Sequence, residues 1–109
     1  MKRTDFEFEE VYNLSRQIDD AATEIHYRDI LSNENGGVTL LAFRQGQKLP
    51  SHLAPGDVMV YVLGGKLEFT FDKNTREISH GEFMLIKEGV SHKVEAKSDS
   101  KVLLVKIKS

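Results

Sequence analysis

An all-β fold of short antiparallel strands, closed into a sandwich or barrel, is the architecture this sequence predicts. Three observations carry that expectation. From Gly36 onward, short apolar or alternating runs are separated by turn residues about every eight to twelve positions. "GKLEFTFD" alternates cleanly, with Leu67, Phe69 and Phe71 on one side and Lys66, Glu68, Thr70 and Asp72 on the other. The two prolines, Pro50 and Pro55, fall in one segment between runs, away from central strands where a missing N–H breaks the ladder.

Taken in order, residues 1–35 read as an N-terminal extension and residues 36–109 as the barrel. In the extension, Val11, Leu14 and Ile18 recur at helical spacing in "VYNLSRQIDDAA" and predict a short helical turn. "TEIHYRDILS" then places Ile25 and Tyr27 on one face and breaks parity at Ile30 and Leu31, as an edge strand does. "GGVTLLAFRQG" opens the barrel. The segment holding Pro50, His52 and Pro55 reads as an irregular loop before a core strand. "DVMVYVLGG" and "GKLEFTFD" are expected to join at Gly64-Gly65, where a residue without Cβ accepts positive φ. "DKNTREISHGE" supplies two turns around a short strand, "EFMLIK" is apolar on both faces, and "EGVSHKVEA" alternates. "KVLLVKIKS" closes the chain, its lysines expected on the solvent face. About eight short strands result.

Composition narrows the function. The 109 residues make one domain, and 39% hydrophobic with 29% charged residues is an ordinary globular balance. A net charge of −2 without a basic cluster argues against nucleic acid as a partner. No cysteine is present, which excludes disulfides, thiolate metal sites and cysteine nucleophiles. The charged start "MKRTDFEFEE" lacks the apolar core of a signal peptide, and no apolar run approaches the roughly 18 residues that cross a bilayer. No membrane partner and a cytoplasmic location are therefore expected.

Two spaced patterns carry a resemblance. In "GQKLPSHLAPGDVMVYVLGG", Gly46, His52 and Gly65 fit G-x5-H-x-H-x3-E-x6-G; in "GEFMLIKEGVSHKVEA", Gly81, Gly89 and His92 fit G-x5-P-x-G-x2-H-x3-N. In this the chain resembles the small single-domain bacterial cupins, those with "H-x-A-P-x-D" in the first pattern. The match runs from about Gly36 to Lys108. The resemblance implies a double-stranded β-helix, or jelly-roll barrel, and pairing into a homodimer through an apolar sheet face. In metal-dependent cupins it implies two histidines and a glutamate of the first pattern and a histidine of the second around one ion. His52 and His92 match. Ala54 stands at the second histidine, Val58 at the glutamate, Lys87 at the proline and Ala96 at the asparagine.

The residues themselves define the expected site. On regular strands Ala54, Val58, Val60 and Val62 share the side of His52, while Val94 and Ala96 share that of His92. These eight predict a small apolar pocket marked by two imidazoles, suited to a neutral or mainly apolar small molecule held by one or two hydrogen bonds. As metal ligands His52 and His92 number only two, against three or four for zinc and three for a non-haem iron triad. Asp57 reads as a turn residue accepting backbone N–H groups, Glu82 as structural, His80 as solvated, and His26 as the one spare imidazole for a third ligand position. Three readings follow: a small-molecule binding module with a sensory or regulatory role; a metal-dependent isomerase or dioxygenase using a divalent ion on His52, His92 and a further ligand; and a purely structural or interaction domain. The Met59, Tyr61 and Leu63 face is apolar too, so either the N-terminal segment or a second subunit is expected to cover it.

Overall fold

A computed structural model describes residues 3–108. Among them are nine strands: β1 (His26–Asn33), β2 (Gly36–Phe43), β3 (Lys48–Leu53), β4 (Asp57–Gly64), β5 (Lys66–Thr70), β6 (Thr75–Ser79), β7 (Phe83–Ile86), β8 (Ser91–Ala96) and β9 (Ser100–Ile107). They form two antiparallel sheets, a five-stranded one in the order β1-β2-β9-β4-β7 and a four-stranded one in the order β3-β8-β5-β6. The all-β expectation holds, as a jelly roll. The boundary set at residues 35 and 36 falls between β1 and β2, and β1 is the edge strand of the larger sheet.

Period-2 alternation decides what each sheet buries. Val58, Val60 and Val62 on β4, Val102 and Leu104 on β9, and Leu41 and Phe43 on β2 point inward from the larger sheet. Leu67 and Phe69 on β5, with Val94 and Ala96 on β8, meet them from the smaller one. Leu67 and Val62 are fully buried. Burying such a side chain stabilises the fold by roughly 1.5–3 kcal/mol.

The outer face of the larger sheet is covered in part. Ile18 is buried with Leu40 and Ala42, and Leu14, Ala21, Ile30, Leu63 and Leu103 pack around them. The N-terminal segment thus supplies cover for β2 and β9. Its helical turn is shorter than the spacing predicts: a 3-10 turn spans Leu14–Gln17, Ile18 is already extended (φ −142°, ψ 135°), and Val11 is 96% exposed. Three apolar residues are too few to nucleate an α-helix.

Three local expectations are corrected. The Gly64-Gly65 pair is a corner, since β4 and β5 belong to different sheets and do not pair. Gly65 has φ +89°, and a Cβ there would overlap Ser100 Oγ and the Asp99 carbonyl. The His52 segment is a strand, β3, which tolerates Pro50 because it lies at a sheet edge and its register slips between Leu49 and His52. Finally, the C-terminal lysines do not share a face. Lys101 and Lys106 are an odd number of residues apart on β9, so one faces out and Lys106 faces in, on the side of Val102 and Leu104.

Candidate functional site

The two histidines of the sequence patterns meet across the smaller sheet. Edge strand β3 pairs with β8 so that His52 and His92 are direct register partners. Their ring centroids are 4.3 Å apart, with the planes at 60°. His52 is exposed, whereas His92 is buried at 6% exposure. Phe69 and Phe71 flank the His92 ring, with centroids 6.1 and 6.2 Å away.

Both rings are held in the same way. His52 Nδ1 lies 3.0 Å from the Pro50 carbonyl, and His92 Nδ1 lies 3.2 Å from the Val90 carbonyl. A carbonyl only accepts, so each Nδ1 is the donor, and in the neutral ring each Nε2 keeps its lone pair. Burial pushes the His92 pKa below the ordinary 6.5; the Val90 carbonyl opposes the shift and the neighbouring His52 adds to it. The pair therefore presents two hydrogen-bond acceptors, the inner one disposed to stay uncharged.

These rings border a cavity of about 570 Å³ between the sheets, a volume within the range of small-molecule sites. Of the eight residues expected there, His52, Val58, Val60, His92 and Val94 line it, and Ala54, Val62 and Ala96 do not. The three are buried elsewhere in the core. Val62 and Ala96 lie farther along their strands. Ala54 fails because parity does not carry from β3 to β4 through a chain crossing between sheets. Its N–H donates to Val90 and its carbonyl accepts from Gly89, which fastens the 54–56 loop to the 87–90 loop.

The pocket is also less uniformly apolar than expected. Tyr27 and Asp29 of β1, Thr39 of β2 and Lys106 of β9 join its wall. Thr39 Oγ1 donates to Asp29 Oδ1 at 2.9 Å across the β1–β2 pair. This polar rim is not expected from the sequence. The odd spacing of Lys101 and Lys106 was the signal for one part of it; nothing local marked Asp29, because an edge strand with a bulge hides its parity.

The resemblance implies a metal, and the donor groups test it. Asp57 Oδ1 accepts the Glu88 N–H at 2.9 Å, and Glu82 Oε1 accepts the Ser79 N–H at 2.8 Å, so both carboxylates hold turns. His26 borders a separate shallow cleft, its Nδ1 3.3 Å from the Asp19 carbonyl. His80 is exposed. Among the described residues no three His, Cys, Asp or Glu side chains converge. Two imidazoles alone do not make up the set that zinc or non-haem iron takes.

Comparison with known proteins agrees with the architecture. The profile of the cupin domain matches residues 39–108. A conserved protein of unknown function from Streptococcus pyogenes superposes with a TM-score of 0.90 at 26% identity, over 100% of this chain and 96% of its own. A cupin superfamily protein from Desulfitobacterium hafniense gives 0.89 at 16% identity, covering 100% of both chains. A cupin 2 conserved barrel domain protein from Leptotrichia buccalis gives 0.89 at 22% identity, over 98% of this chain and 51% of its own. No curated protein matches the chain. The matched strands include both that carry the paired imidazoles and both that form the inner valine wall, and with this match the chain belongs to the cupin domain family.

Proposed function

We propose that the barrel is a small-molecule binding module, with a sensory or regulatory role, whose ligand sits between the paired imidazoles and the valine wall of β4. The observation that carries this is the placement of His52 and His92, with both Nε2 lone pairs free, at the border of a mainly apolar cavity of about 570 Å³. Such a pocket takes a compact molecule with an apolar body and a donor group for the imidazoles. A library of small alcohols, phenols and amides, screened by thermal shift, tests it. Hits should stabilise the protein, and the His52→Ala variant, altered at an exposed position, should lose most of that stabilisation while keeping its own melting temperature. A library without hits, or hits indifferent to His52→Ala, would count against it.

A metal-dependent isomerase or dioxygenase is the second reading, favoured by two imidazole rings whose centroids are 4.3 Å apart. It needs at least one further ligand beside His52 and His92. Elemental analysis of protein purified without a histidine tag separates the two readings: one firmly held transition metal per chain, lost in His52→Ala, supports the enzyme.

We also propose that a second copy of the chain covers the uncovered part of the larger sheet. Met59 pairs with Leu85 and Tyr61 with Phe83 across β4 and β7. Phe83 and Leu85 are 62% and 70% exposed, and the N-terminal segment packs elsewhere. Four adjacent apolar side chains on one sheet face suit an isologous contact. No nucleic-acid or membrane partner enters this proposal; among the described residues no helix is long and apolar enough to cross a membrane.

A further inference from the structure

Among the described residues one lysine, Lys106, lines the cavity. Among the described residues two lysines are half-buried, Lys101 and Lys106. Lys101 is accounted for: its Nζ donates to the Ser15 carbonyl at 2.9 Å and lies 3.7 Å from Asp20. The exposed Lys66 and Lys97 have carboxylates within 4 Å as well. Lys106 has no hydrogen bond or ion pair among the described residues, yet it is half-buried and lines the cavity. With no carboxylate within 4 Å among the described residues, its ammonium can pair with an anion that enters the cavity.

Its position is suited to that task. On β9, Lys106 is the register partner of Val58, which lines the cavity beside it. The apolar wall, the acceptor pair and the lone cation therefore border one space.

We propose that the cavity takes a small monocarboxylic acid with an apolar body, its carboxylate on Lys106 and a hydroxyl or N–H donor at the imidazole pair. This rests on the reading of the cavity as a ligand site and names the class of ligand. A single negative charge is specified by two features. Among the described residues one lysine and no arginine line the cavity, and Asp29 on the same wall repels a second negative charge. The two Nε2 lone pairs call for a donor at the other end, because an oxyanion placed against them would be repelled.

Calorimetric titration of the full chain at about pH 7.5, where a carboxylic acid is ionised and lysine charged, tests the assignment. The probes are octanoate, octanamide and octylamine, matched in their apolar part, with 8-hydroxyoctanoate carrying the added donor. Octanoate should bind at least about tenfold more tightly than the amide or the amine, as one charge-assisted hydrogen bond allows. The hydroxy acid should bind more tightly still. Lys106→Met keeps the apolar stem and should abolish the preference for the acid over the amide; Lys106→Arg should retain it. Equal affinity for acid and amide would overturn the assignment and leave the cavity a ligand site. Tightest binding by octylamine would overturn it in favour of Asp29, and so would a carboxylate preference that survives Lys106→Met. Failure of all four probes to bind would count against the ligand site itself, and the assignment would fall with it.

Discussion

Replacing Gly65 by alanine should be far more damaging than the same change one residue earlier. Gly65 has φ +89°, where an L-residue costs roughly 1–2 kcal/mol. Its new Cβ would also lie 2.7 Å from Ser100 Cα and overlap Ser100 Oγ and the Asp99 carbonyl. That hydroxyl is buried and structural: it accepts the Lys66 N–H at 3.0 Å and donates to the Ser98 carbonyl at 2.8 Å. Displacing it leaves a partly buried donor unsatisfied, which costs roughly 1–3 kcal/mol. The sum is roughly 2–5 kcal/mol, a fall in Tm of at least about 8 °C for a domain of this size. At Gly64 an added Cβ meets nothing within 4 Å, so Gly64→Ala should leave stability within about 0.5 kcal/mol or raise it slightly. Urea denaturation of the two variants, followed by circular dichroism, measures the contrast. Equal effects would refute a sheet-to-sheet corner at this pair and restore the simple hairpin read from the sequence.

Further outcomes follow from the core, the histidines and the outer face. Leu67→Ala should destabilise the fold by about 2–5 kcal/mol in the same denaturation assay, since Leu67 is fully buried among side chains of both sheets. For His92, the lowered pKa means that the unfolded chain takes up its proton first as pH falls through 6.5. Folding stability attributable to His92 should therefore decline from that pH downward until the folded form is protonated as well. His92→Gln should lack that portion of the decline, and an NMR titration placing His92 at or above 6.5 would contradict it. On the outer face, light scattering should report a dimer, and Leu85→Glu a monomer with unchanged circular dichroism; a monomeric parent protein would remove the proposed contact.

Much of the fold was legible because it rests on alternation, which is local. "GKLEFTFD" and "DVMVYVLGG" could be oriented from their own letters, and β5 and β4 bury the faces that those letters assign. What could not be read is where the chain changes sheets. Gly64-Gly65 has the letters of a hairpin, and only pairing partners distant in sequence make it a corner. The same limit governed the site. His52 and His92 were placed together by two spaced patterns, and the register of β3 on β8 brings them side by side. Ala54 was carried along with His52 by a parity that ends where β3 ends. The lysines of "KVLLVKIKS" alternate with apolar residues and so suggest one solvent face, although β9 turns Lys106 inward. Asp29 and Thr39 are brought to the rim by the β1–β2 register, a tertiary fact with no local signature.

The most direct test is an NMR titration with benzyl alcohol, whose ring is apolar and whose hydroxyl is a donor. The ring 15N resonances of the four histidines and the methyl groups of the cavity valines would be followed together. The Nε2 resonances of His52 and His92 and the methyls of Val58, Val60 and Val94 should move on one saturating curve while His26 and His80 stay still. Imidazoles that respond with unrelated concentration dependences, or that do not respond while other surfaces do, would show that no shared pocket lies between them.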